Sequence, residues 1–115
     1  MILICYKKCS TCKGVEKILT DKKVTYEYRE IDKENPTAEE LKKWHELSGL
    51  DIKKFFNTSG LIYRNNNIKD KLPTMSLDEM YELLATDGML VKRPIIINGD
   101  EVLVGQQTKK FAEEI

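Results

Sequence analysis

Residues 2–31 hold a strand, a helix and a second strand in close succession, and that order restricts the fold more than any other feature of the chain. "ILICY" (2–6) is a short unbroken apolar run with β-branched members, which predicts a buried strand. From Ser10, "STCKGVEKILTDKK" sets Val15, Ile18 and Leu19 on one helical face, with Ser10 or Thr11 expected as its cap. "VTYEYREI" (24–31) alternates apolar and polar side chains, as a strand with one buried face does. Such a unit predicts two parallel strands joined through the helix.

"NPTAEELKKWHELSGL" opens with a capping-box spacing from Thr37 to Glu40, carries Leu41, Trp44 and Leu47 on one face, and stops at Gly49. The next stretch breaks into short helical pieces around Gly60, and the asparagines at 65–67 read as a turn. "SLDEMYELLATDGM" predicts a helix with Leu77, Met80, Tyr81, Leu83 and Leu84 inward and Gly88 as its stop. "RPIIINGDEVLVG" reads as a hairpin about Asn98-Gly99-Asp100, and "TKKFAEEI" as a closing helix. The predicted fold is α/β, a thioredoxin-like mixed sheet with an inserted helical subdomain. The core is expected over about 1–32 and 90–115, with the insertion over about 33–89.

A length of 115 residues suits one domain. Nineteen basic residues against nineteen acidic ones leave no basic surplus, which argues against direct nucleic-acid binding. No apolar run approaches the roughly 20 residues of a membrane helix. "MILICYKKC" lacks the charged leader and cleavage site of a secretory signal, so the expected location is the cytoplasm. Thiols there are kept reduced, and a close cysteine pair is more often catalytic, regulatory or metal-bound than structural.

The pair in question is "CSTC", Cys9 and Cys12, at the strand-to-helix junction. Unpaired N–H groups and the positive end of the helix dipole stabilise a thiolate there, and Lys7, Lys8 and Lys13 push the same way. Cys9, the more exposed, is expected to be the nucleophile, and Cys12, one turn in, the thiol that resolves a mixed disulfide. A zinc site from Cys5, Cys9, Cys12 and His45 is the competing reading. It lacks a second C-x-x-C and draws its ligands from separate elements, so no metal is expected. Cys5 itself reads as a small core hydrophobe, Trp44 as core and His45 as a boundary residue. Pro94, after Arg93, opens a strand expected beside the first one, which would bring Arg93 to the cysteines as an anion holder.

"CSTCK" early, "KKFFNTSGLIYR" in the middle and "DGMLVKRPIII" followed by "VLVG" late resemble the arsenate reductase-like family, called ArsC/Spx, over essentially the whole chain. The resemblance implies a thioredoxin-type sheet with a helical insertion. Its catalytic cysteine falls on Cys9, its oxyanion-binding arginines on Arg64 and Arg93, a basic residue after the cysteine on Lys13, and its cis proline on Pro94. It further implies an arsenate reductase-like thiol–disulfide oxidoreductase acting on a small thiol or oxyanion. Glutathione, glutaredoxin or thioredoxin would be the electron donor, with no bound cofactor. The alternative within the family is a redox-sensing regulator resembling Spx, whose partner is the RNA polymerase α subunit. Two departures stand out. This chain has two cysteines where the glutathione/glutaredoxin-coupled reductases rely on one, and Gln106 and Gln107 stand where those reductases carry a third arginine. An amide cannot hold a tetrahedral oxyanion with charge, which counts against arsenate as substrate.

Overall fold

A computed structural model describes all residues, 1–115. Four strands form one sheet in the order β2-β1-β3-β4, with β1 Ile2–Cys5, β2 Glu27–Glu30, β3 Ile95–Asn98 and β4 Glu101–Val104. β1 pairs parallel with β2, and antiparallel with β3, which pairs antiparallel with β4. The sheet is mixed, as the sequence predicts. Six helices complete the fold: α1 Ser10–Asp21, α2 Ala38–Ser48, α3 Leu61–Asn65, α4 Ile68–Lys71, α5 Leu77–Ala85 and α6 Gln106–Glu114.

The period-two rule sorts β1 between two cores. Leu3 and Cys5 face one side and join Cys12, Val15, Leu19, Ile96 and Ala112, so α1 and α6 cover that face. Ile4 faces the other side and belongs to a larger core with Leu41, Trp44, Phe55, Leu84 and Val104. The inserted helices are therefore the second layer of a sandwich around the sheet. Phe56 bridges to Val91, and the amide of Lys92 donates to the Phe55 carbonyl at 2.8 Å, tying the insertion to the strand that follows it.

Several local signals differ from their expected use. Cys9, not Ser10 or Thr11, is the N-cap of α1, with no side-chain bond to the helix. The second strand begins at Glu27 rather than Val24, because Val24 is spent closing α1. Lys23 adopts a left-handed φ of 58°, its amide reaches the Thr20 carbonyl, and the Val24 amide reaches that of Leu19, the pattern of a helix stop. α5 ends at Ala85, and Gly88 opens a separate 3₁₀ turn instead of stopping the helix. Leu77, at the first position of α5, is 48% exposed rather than inward. The Thr37/Glu40 capping box and the left-handed Gly49 stop of α2 occur as expected. Gly99, with φ +62°, opens the hairpin turn between the paired Asn98 and Glu101.

Arg29 locks α2 to β2. It grips Glu40 with two nitrogens at 2.7 and 2.9 Å, donates to the carbonyls of Glu34 and Asn35, and stands 5.7 Å from the Trp44 ring. The guanidinium, aided by the Thr37 amide, holds the Glu40 carboxyl below the usual carboxylate range. A carboxyl lowered on folding contributes stability above its unfolded value of about 4.3, and that stability is lost as pH falls through the lower folded value. Urea midpoints measured at neutral pH and at about pH 3 are expected to differ less in Arg29→Met than in the parent chain. Glu30 and Glu79 are lowered too and keep the remaining acid sensitivity.

Candidate active site

The end of β1 delivers three thiols to one place. Cys5 is the last strand residue, Cys9 caps α1 and Cys12 lies one turn further along. All three are free; Cys5 and Cys12 are 0% exposed, whereas Cys9 is half-buried. The turn between strand and helix is closed by the Cys9 amide donating to the Tyr6 carbonyl at 3.0 Å. The Tyr6 amide, freed from the sheet, points the other way and donates to Cys12 Sγ at 3.5 Å.

The groups that stabilise a thiolate are gathered around Cys12. The neighbouring Cys5 thiol has the largest effect, and the Tyr6 amide, the Cys9 thiol and the charge of Arg93 act in the same direction. Together they overcome the cost of burial and bring the Cys12 thiol down to about 7. Cys5 responds oppositely: contact with the Cys12 sulfur, and then burial, push its thiol up. The sequence placed this stabilisation on Cys9. The Cys12 sulfur points back under the turn toward the Tyr6 amide, so that donor serves the buried thiol. Lys7, expected to add charge to the site, instead pairs with Glu30 at 2.8 Å. Lys8 and Lys13 are exposed and pair with no acid.

Arg93 arrives from the far end of the chain. The pairing of Ile4 with Ile95, continued by one residue, sets Pro94 across from Cys5 and Arg93 beside the cysteine turn. The Arg93–Pro94 bond is cis. Arg93 Nη1 donates to the carbonyls of Met89 and Val91 at 3.2 and 3.3 Å, and the guanidinium carbon lies 5.2 Å from the Tyr6 ring centre. Its Nε and Nη2 have no protein acceptor and can take an anion. Arg64 is exposed on α3 and makes no ion pair; it lines a shallow depression with Thr58, Asn67 and Asp70. No contact joins Arg64 to the cysteines.

His45 belongs elsewhere. Its Nε2 donates to the Leu50 carbonyl at 2.9 Å, and its Nδ1 accepts from the Tyr81 hydroxyl at 2.6 Å, fixing α2 against α5. No group of three His, Cys, Asp or Glu side chains is arranged to hold a metal ion. Sequence reasoning missed two parts of the site. One is Tyr6, whose amide and ring both serve it; no motif marks a backbone N–H. The other is a polar cleft of about 560 Å³ between the first turn of α1 and α6, lined by Ser10, Thr11, Gln106, Lys109, Lys110 and Glu113. It starts at the residue after Cys9, and only the packing of α6 on α1 creates it. Gln107 faces away from this cleft, its side-chain oxygen accepting from the Val104 amide at 3.2 Å.

The family model described as the ArsC family matches residues 5–113. The chain belongs to the ArsC family. Among its relatives, YusI of Bacillus subtilis, itself described as uncharacterized, is 49% identical and covers 94% of this chain and 92% of its own. The crystal structure of a possible arsenate reductase from Streptococcus mutans superimposes with a TM-score of 0.89 at 42% identity, covering 99% of this chain and 97% of its own. The regulatory protein MgsR of Bacillus subtilis is 27% identical over 87% of this chain and 78% of its own. The ArsC fold thus accounts for the mixed sheet and the helical layer on it. No helix is long and apolar enough to cross a membrane.

Proposed function

We propose that this ArsC-family chain is a thiol–disulfide oxidoreductase with Cys9 as nucleophile and Cys12 as resolving thiol. The observation that carries the reading is a half-buried sulfur standing over a buried one, which an amide, two thiols and a guanidinium hold toward its anionic form. Cys9 attacks one sulfur of a small disulfide. A bond to the protein forms, the substrate's own bond breaks, and the Cys9 proton leaves with the first thiol product. The Cys12 thiolate then attacks Cys9 Sγ, forming the Cys9–Cys12 disulfide and expelling the second product as a thiolate. Two electrons pass to the substrate, and glutathione, glutaredoxin or thioredoxin returns them.

Arg93, with two guanidinium nitrogens unoccupied, receives the anionic part of the substrate. Lys13, next to Cys12 in α1, and the exposed Arg64 of α3 would add positive charge for an approaching anion. The cleft beside Cys9, with Lys109 and Lys110 against the single acid Glu113, favours a disulfide bearing carboxylates. The reading is tested by turnover of a glutathione mixed disulfide and of arsenate with each donor. The expected result is turnover of the disulfide and little of arsenate, since Gln106 brings no charge where a third arginine would stand. Turnover of neither would remove the enzyme reading. Reversing the charge at Lys109 or Lys110 to Glu is expected to raise KM about three- to tenfold with kcat little changed, because an exposed charge contributes binding but no chemistry.

The likeness to MgsR favours a second reading, in which the same pair is a sensor. Disulfide formation would then reshape the first turn of α1 and alter a surface that meets the RNA polymerase α subunit. Binding of the α C-terminal domain in one redox state only, without disulfide turnover, would replace the enzyme by the regulator.

A further inference from the structure

We infer that Asn57 is a positioning residue for Arg93: its side-chain amide holds the Met89 carbonyl on which Arg93 is anchored, and so keeps the outer guanidinium nitrogens presented to an anion. The inference rests on the proposed reading of Arg93 as the group that receives the anionic part of the substrate.

The carbonyl in question is one that the neighbouring backbone leaves free. Gly88–Leu90 form a 3₁₀ turn, in which the Leu90 amide reaches the Asp87 carbonyl at 3.0 Å and the Val91 amide that of Gly88 at 3.1 Å. The next amide in the series, that of Lys92, is drawn away to the Phe55 carbonyl at 2.8 Å by the antiparallel bridge between Phe56 and Val91. A half-buried carbonyl without its backbone donor takes side-chain donors instead. The Met89 carbonyl takes two, Arg93 Nη1 at 3.2 Å and Asn57 Nδ2 at 3.4 Å.

Three contacts direct the Asn57 side chain to this acceptor. Its backbone amide donates to the Leu90 carbonyl at 2.8 Å, which fixes residue 57 alongside the turn. Its Oδ1 accepts from the Ser59 hydroxyl at 3.4 Å, which leaves Nδ2 as the end facing Met89. Gly60 lies against the same amide: a Cβ there would stand 2.6 Å from Asn57 Nδ2 and 3.2 Å from the Asn57 carbonyl oxygen. Glycine at position 60 therefore leaves the room that the amide occupies.

The consequence is an arginine ordered before its ligand arrives. An arginine side chain has many rotamers, and fixing one of them on binding costs affinity. Arg93 is fixed beforehand by the Met89 and Val91 carbonyls and by the Tyr6 ring, 5.2 Å away. Asn57 steadies the first of these supports, and none of its own hydrogen bonds reaches a thiol. Loss of the Nδ2 bond thus weakens anion binding and leaves the cysteine chemistry alone. The same turn also starts α3, since the Gly60 amide donates to the Asn57 carbonyl at 3.0 Å and the Arg64 amide to the Gly60 carbonyl at 3.2 Å. A disturbance that ran into α3 would act through Arg64 instead, and the test separates the two routes.

The test follows the Arg93 Nε–H resonance by heteronuclear NMR while inorganic sulfate is added to the full chain. In the parent chain sulfate is expected to shift that resonance saturably. Asn57→Leu, which keeps the size and removes the donor, is expected to raise the sulfate dissociation constant about three- to tenfold, the worth of one hydrogen bond. Gly60→Ala, which retains Asn57 but crowds its amide, is expected to act in the same direction and gives the reading independently of the leucine. Turnover supplies a second readout. KM for glutathione disulfide, which bears carboxylates, is expected to rise by a similar factor with kcat little changed, while KM for the neutral hydroxyethyl disulfide stays at the parent value. In an Arg93→Met background, Asn57→Leu is expected to change neither KM further. A parent Arg93 resonance that ignores sulfate, variants that bind sulfate as the parent does, an equal rise in both KM values, or an effect that persists in Arg93→Met overturns the inference. The sulfate titration needs no turnover. If the parent chain reduces neither disulfide, the oxidoreductase reading falls, and the titration still decides the role of Asn57.

Discussion

Cys9→Ser is expected to lower turnover of a small disulfide by about a thousandfold or more, with the fold unchanged. Cys9 is half-buried at the margin of the core that holds Cys12 and has no side-chain bond to the helix it caps, so a serine of nearly the same size is accommodated without loss of a capping contact. What it removes is the nucleophile itself, because a serine hydroxyl remains protonated at neutral pH and does not attack sulfur at a useful rate. Cys12→Ser is expected to fail differently. Attack by Cys9 still occurs, but nothing resolves the product, and the chain accumulates as a mixed disulfide whose added mass is read by intact mass spectrometry. Stoichiometric trapping on Cys9 in Cys12→Ser, together with its absence in Cys9→Ser, assigns the two roles. Full activity in Cys9→Ser, or trapping at Cys12, would reverse or remove the assignment.

The parts of this molecule legible in the sequence are those that local chemistry decides. The βαβ opening, the Thr37 cap of α2, the Gly49 stop and the Asn98–Glu101 hairpin each depend on residues a few positions apart, and each occurs. The parts that were not legible depend on groups that meet only after folding. That donors gather around Cys12 follows from a backbone amide and a strand thiol lying under the same turn. Lys7 is near the cysteines in sequence, yet it turns to Glu30 because the parallel pairing of β1 with β2 brings that carboxylate to the same end of the sheet. The spacing of Cys5, Cys9 and Cys12 was visible. It read as one strand residue and one motif because nothing in the sequence states that the strand end and the first helical turn share a core. Arg93 was legible as a site residue for the opposite reason: the predicted pairing of two strands fixed its neighbourhood in advance.

Gly88→Ala is expected to destabilise the chain by about 3 kcal/mol or more, at or beyond the upper end for a single overpacking change. A Cβ at this position would stand 1.8 Å from the Ile31 carbonyl oxygen and 2.7 Å from the Asn35 side-chain oxygen. The first contact is with backbone, which no rotamer change relieves. The glycine is required by this close approach, since its φ lies outside the left-handed region. The Gly88 amide also donates to Asn35 Oδ1 at 3.1 Å, so retreat of the turn sacrifices that bond. Retreat of Ile31 is no cheaper, because its amide is bonded at 2.9 Å to the Cys5 carbonyl. The strain therefore reaches the strand end that carries the thiols, and Gly88→Ala is expected to slow disulfide turnover as well as lower the unfolding midpoint. Gly14→Ala supplies the contrast. An added Cβ there meets nothing within 4 Å and lies inside α1, so a gain of about 0.5–1 kcal/mol is expected from helix propensity. Urea unfolding of the two variants beside the parent chain decides the matter: a Gly88→Ala midpoint equal to the parent's would mean that the turn does not rest on the end of β2 as described.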